Sequence, residues 1–171
     1  MKKENLLQIK PFQETLNESM CGPACFKMIL SYWNIEKTEA ECAVLLNHNT
    51  DLGVADINFI NAVKSLNLNC EIKNNSSFGD IQDYLNKKIP LIINWFTSGR
   101  SDYNDSNVPD GHYSIVVGID DKNIYLQDPE IGKLRKISRD DFYKVWFDFS
   151  TDHITKWEDM IIRQIIAIYL K

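Results

Sequence analysis

Apolar and polar positions change period several times along the chain, and each change predicts an element. Leu7 and Ile9 alternate with polar residues ahead of Pro11, the period-two pattern of an extended arm. From Cys21 to Trp33 the run CGPACFKMILSYW is almost wholly apolar, with Pro23 suited to a first helical turn and Asn34 at its end. That run predicts a buried central helix starting at or just after Cys21. Thr38 with Glu41 three residues on predicts a capping box for a second helix, and Phe59, Ala62, Val63 and Leu66 form one apolar face of a third. Leu68, Cys70 and Ile72 alternate as a short strand. A fourth helix, with Ile81, Tyr84 and Leu85 on one side, ends near Lys88 and leads into IPLIINWF, a buried strand by its β-branched and aromatic content.

Residues 97–110 are polar and rich in turn formers, and a loop of this length suggests a wall of a binding cleft as readily as a connector. Beyond it GHYSIVVGID and NIYLQD read as two strands joined around Asp120 to Asn123, and LRKI as a third after the DPEIG turn. Ser138 and Asp141 cap a helix expected to carry Phe142, Val145, Trp146 and Phe149, and RQIIAIYLK reads as a terminal strand. Helices first and an antiparallel sheet second indicate an α+β fold, with residues 1–171 forming one domain.

Composition adds exclusions. With 44% hydrophobic and 25% charged residues the chain is ordinary for a globular protein. A net charge of −5 and the absence of a Lys/Arg-rich block argue against a nucleic-acid partner. MKKENLLQIK lacks the apolar core of a signal peptide and no run is long enough to span a membrane, so the expectation is a cytoplasmic protein without a membrane span. Cys21, Cys25, Cys42 and Cys70 are sparse and irregularly spaced, which reads as free thiols. The Cys21-x3-Cys25 pair has no partner pair at zinc-ligand spacing and no phosphate-binding glycine loop occurs, so no cofactor is expected.

Cys21 is the residue with chemical promise. A cysteine attacks as the thiolate, and the unpaired N–H groups at a helix N-terminus favour that form. Gly22 lets the backbone turn sharply and leaves room for a substrate chain, while Cys25, one turn on, reads as a small apolar residue. A nucleophilic cysteine needs a base, and the base needs an orienting group. If the hairpin turns near residues 120–122, His112 faces a residue between 128 and 132, with Asp128 at the near edge of that window. Asp128-Pro129 also reads as a plain turn starter. His48 and His153 lie in polar segments and read as surface residues.

The blocks QETLNESMCGPACFKMILSYW, GHYSIVVGID and LQDPEIGK resemble the three sequence blocks of the bacteriocin-processing, double-glycine-leader cysteine peptidases, in the same order. The resemblance implies a papain-like fold, with an N-terminal helical half packed on a C-terminal antiparallel β-sheet. It implies Cys21 as nucleophile, His112 as general base, Asp128 as orienter and Gln13 as oxyanion donor. Gln13 stands eight residues before Cys21, farther than the family pattern, and also reads as a solvated loop residue. The implied substrate is a precursor peptide cut after small residues such as Gly-Gly, and the chain is expected either to stand alone or to work beside a separate export transporter. Two other functions fit the same residues: acyl transfer to an amine, and a non-catalytic peptide-binding module of this fold.

Overall fold

The computed structural model describes residues 6–16, 18–51, 53–97, 111–150 and 154–171. Residues 98–110 of the expected cleft-wall loop, and His153, lie outside them. Three helices come first: α1 (Cys21–Tyr32), α2 (Glu39–Leu45) and α3 (Asp56–Ser65). Strand β1 (Leu68–Lys73) and helix α4 (Phe78–Asn86) follow, then β2 (Leu91–Phe96), β3 (Gly111–Ile119), β4 (Asn123–Asp128) and β5 (Lys133–Ser138). The chain continues through α5 (Arg139–Val145), β6 (Phe147–Phe149), a 3-10 turn at Trp157–Asp159, β7 (Met160–Ile162) and β8 (Ile165–Leu170).

Local chemistry sets most boundaries. Thr38 and Glu41 close the capping box of α2, and Ser77 with Asp80 forms an equivalent box on α4. Ser138 caps α5 by accepting from the Asp141 N–H. That helix stops at Val145, so Phe149 belongs to β6, where it contacts Phe147 and Phe96 instead of extending the helical face. Helix α1 ends where Asn34 takes a positive φ of 60°, a conformation asparagine tolerates.

The six-stranded antiparallel sheet has the order β1-β8-β2-β3-β4-β5. Strands β2 to β5 form a meander, and β8 returns to sit between β1 and β2. A separate pair, β6 with β7, makes a second small sheet. Between Val116 and Gly118 the β3–β4 register slips, and Val117, left out of that pairing, accepts the Leu7 N–H through its carbonyl at 2.8 Å. The bulge thus anchors the arm, whose Leu7 and Ile9 are buried.

Helix α1 packs against β3 with Ala24, Cys25, Phe26, Ile29 and Leu30 fully buried. Phe26 meets Phe59 of α3, and Phe59 in turn meets Tyr113 of β3. Trp95 of β2 contacts Phe142, which contacts Trp146. Each such side chain taken out of water contributes about 1.5–3 kcal/mol, which makes α1 and β3 the rigid supports of whatever lies at their ends. Among the described residues, no helix is long and apolar enough to cross a membrane.

Candidate active site

Cys21 is the first residue of α1 and is 7% exposed. Met20 at the N-cap supplies no side-chain bond to the first turn, so the leading N–H groups keep their donor capacity beside the thiol. Ser19 precedes it at a φ of 53°, and His48 Nε2 donates to the Ser19 carbonyl at 3.1 Å. His48 is therefore half-buried and helps hold the helix start. At Gly22 the expected room for a substrate chain is filled, since a Cβ would come within 2.9 Å of Val54 Cγ2 and 3.6 Å of the Tyr113 ring. Here glycine serves close packing. Cys25 is fully buried, and burial followed by the nearby Cys21 pushes its thiol well above the ordinary range, which leaves it inert.

His112 sits near the start of β3, 1% exposed, with its cross-strand partner Trp95 edge-on at 6.0 Å between ring centroids. Its Nε2 donates to Asp128 Oδ1 at 2.8 Å, and it also hydrogen-bonds the Cys21 side chain. With Nε2 occupied, Nδ1 is the nitrogen left for the thiol. Ile115 faces Gln127, so Asp128 reaches His112 along a cross-strand diagonal. Asp128 also acts as the turn former: its Oδ1 accepts the Glu130 N–H at 3.1 Å. The other oxygen, Oδ2, accepts Arg135 Nε at 2.6 Å, and the Arg135 side chain is only 9% exposed.

Burial disfavours charge on both members of the pair, yet the pair wins. Desolvation pulls His112 down, but Asp128 and then Cys21 raise it well above the usual histidine range. Desolvation pushes Asp128 up, but His112 and Arg135 hold it below the usual carboxylate range. This arrangement sets a histidine held in its charged form beside the Cys21 sulfur at the N-terminus of α1.

Gln13 has the surroundings of a solvated loop residue, the second of its two readings. It is exposed, and its Nε2 donates to the Glu130 carbonyl at 3.0 Å, so its amide faces the β4–β5 turn. Its Cβ lies against Gly132, whose φ is 59°. In the same segment, residues 12–16, which form a strap ahead of α1, Glu14 is the group in electrostatic contact with His112 and Asp128: burial pushes its carboxyl up to about 7, His112 opposes, and Asp128, Glu130 and Glu39 reinforce the rise.

A model of the Peptidase_C39-like family matches residues 6–154. The chain belongs to the Peptidase_C39-like family. An uncharacterized protein of Methanothermobacter marburgensis is 30% identical over 129 residues, covering 74% of this chain and 75% of that one. Two solved structures are similar in fold: the peptidase domain of Streptococcus ComA, a bifunctional ABC transporter involved in quorum sensing, and a double-glycine-motif protease from an AMS/PCAT transporter in complex with the leader peptide. The first has a TM-score of 0.70 at 18% identity, with 96% of this chain and 100% of that chain covered. The second has 0.66 at 17%, with 99% and 96% covered.

This C39-like chain carries site residues that the sequence reading missed. Arg135 was assigned only to a strand, yet its place seven residues after Asp128 across the β4–β5 turn puts a cation beside the orienting carboxylate, a pairing that hairpin arithmetic could have found. Asp148 of β6 is another, half-buried where a Cβ on Gly111 would overlap its carboxyl, and desolvation raises it to about 6. Among the described residues no group of three His, Cys, Asp or Glu side chains could hold a metal ion.

Proposed function

We infer that this C39-like protein is a cysteine peptidase that cleaves a precursor peptide after small residues, of the Gly-Gly type. The observation that carries the reading is the buried line Cys21–His112–Asp128, closed behind Asp128 by Arg135. The Cys21 thiolate adds to the substrate carbonyl carbon, and the tetrahedral oxyanion lies against the free N–H groups at the start of α1. His112 Nδ1–H protonates the leaving amine as the C–N bond breaks, leaving a thioester on Cys21 and a neutral imidazole. Water then attacks the thioester, His112 takes its proton, and the Cys21 thiolate leaves. Asp128 holds the ring and stabilises its charged form throughout.

The leader peptide bound to the similar transporter protease supports a precursor peptide as substrate and a transporter as partner. The test uses a synthetic precursor with a Gly-Gly site, with products read by mass spectrometry. Cys21→Ala and His112→Ala abolish cleavage, Asp128→Asn keeps a residual rate, and Cys25→Ala keeps most activity at some cost in stability. Full cleavage by Cys21→Ala would overturn the reading.

A further inference from the structure

A histidine base held by a carboxylate is only as well aimed as the carboxylate, and an aspartate left to itself turns readily about its last side-chain bond. Asp128 ends β4 with its side chain wholly out of solvent, so its plane is fixed by protein atoms. Oδ1 accepts His112 Nε2 at 2.8 Å and the Glu130 N–H at 3.1 Å. Oδ2 accepts Arg135 Nε at 2.6 Å.

Strand register explains how Arg135 comes to be there. Asp128 pairs with Lys133 and Leu126 with Arg135, so Arg135 lies on the diagonal from Asp128, on the same face of the sheet. Lys133, the nearer cation by register, stays exposed. The Arg135 side chain spans the diagonal and is only 9% exposed. Contact is made through Nε, the inner nitrogen of the guanidinium, while Nη2 faces the Glu130 carboxylate at 3.9 Å. One rigid plane thus addresses both the Asp128 carboxylate and the turn whose N–H donates to its other oxygen, a reach that a single ammonium does not have.

We propose, on the peptidase reading above, that Arg135 is a positioning residue for cleavage: by clamping Asp128 Oδ2 it keeps Oδ1 on His112 Nε2, so that the other ring nitrogen stays aimed at Cys21 and the leaving group. Arg135 acts through Asp128 and not on the reacting atoms. With the clamp lost, the carboxylate turns in its buried site, the ring follows, and the proton meant for the leaving amine arrives off line. Misplacement of this kind costs about 10²-fold where proton transfer is part of the barrier. It costs little where the leaving group departs without a proton.

The experiment compares kcat/KM for two substrates with one acyl group, N-acetyl-Gly-Gly p-nitroanilide and N-acetyl-Gly-Gly p-nitrophenyl ester. The anilide nitrogen takes the His112 Nδ1 proton as its C–N bond breaks, whereas nitrophenolate leaves as the anion. Arg135→Gln lowers the anilide value by about 10²-fold and the ester value by less than about tenfold. Arg135→Lys keeps a buried cation, and so the fold, yet loses about tenfold on the anilide with the ester within about threefold. Partial unfolding lowers both substrates in equal proportion, so the anilide-to-ester ratio reads position alone. Lys133→Ala, which removes a charge from the same strand, leaves both values within about threefold of the parent. Proton NMR at pH 6 gives a second readout: the His112 Nε2–H, assigned by its absence in His112→Ala, exchanges with water about tenfold faster in Arg135→Lys. The proposal is overturned if both Arg135 variants keep the parent's anilide-to-ester ratio, or if the ring N–H of Arg135→Lys exchanges at the parent's rate. Cys21-dependent turnover with an unchanged ratio removes this role alone, whereas turnover undiminished in Cys21→Ala removes the nucleophile assignment and this role with it.

Discussion

The two flanks of the His112–Asp128 pair are built on opposite plans. On the sheet flank, His112, Asp128 and Arg135 are all nearly free of solvent and saturated with partners: one Asp128 oxygen takes the imidazole and a backbone N–H, and the other takes the guanidinium. On the strap flank the Glu14 carboxyl is sunk among like charges with an oxygen left unpartnered. Strand pairing fixes the first flank over whole β-ladders. The second rests on a few bonds from an irregular segment to a turn and a helix end. Charge held by a ladder stays charged, whereas a carboxyl held by a strap is left near its point of titration.

Breaking the sheet flank has the largest effect. Arg135→Leu leaves Asp128 buried with only part of its compensation, and we expect a loss of about 3–5 kcal/mol in urea unfolding at pH 7, together with reduced turnover. A loss under 1 kcal/mol would show that the guanidinium is incidental.

A smaller effect comes from Glu14, and its sign follows from proton linkage. A carboxyl raised from 4.5 to about 7 in the fold releases its proton first from the unfolded chain, so stability falls as pH rises across that window. Glu14→Gln removes the fall, gaining about 1–2 kcal/mol over the parent at pH 8.5 and almost nothing at pH 4.5. His112 acts later on the same scale. Its raised value adds stability that is fully present below 6.5 and is lost as pH rises through the folded value. Parallel stability curves for Glu14→Gln and parent would remove the contrast between the flanks.

The smallest effect tests the strap's seating. Gly132→Ala forces a side chain into a φ of 59° and sets a Cβ 2.7 Å from Gln13 Cβ, so we expect a cost of about 1 kcal/mol and a several-fold drop in kcat/KM with Cys21 labelling unchanged. Unaltered kinetics would mean that the strap can shift without disturbing the site.

What the sequence made legible follows the same division. The apolar run after Cys21, the Thr38–Glu41 box and the hairpin around Asp120 are local signals, and the elements appear where those signals lie. Counting across the hairpin brought His112 and Asp128 into one window, and the structure sets them 2.8 Å apart. Gln13 and Glu14 were not separable in this way. The strap has neither a period of two nor of 3.6, so nothing in its pattern says which side chain turns inward. Phe149 was placed on a helix because apolar spacing continues past Val145, yet a three-residue strand uses it instead. The insertion of β8 between β1 and β2 depends on pairing between segments far apart in the chain, such as Leu68 with Leu170 and Leu91 with Ala167, which no local window contains.

That insertion has a consequence for how the protein comes into being. On a ribosome, the meander of β2 to β5 can assemble as it emerges, but β1 and the free edge of β2 wait with unpaired backbone until the segment through Leu170 arrives. Ile92 and Ile93, fully buried in the finished sheet, remain open to wrong neighbours during that interval. The nascent chain thus depends on how soon the stretch carrying β8 is made, and slow codons or a stall shortly before Ile165 would lower the yield of folded protein without changing a single residue of the site.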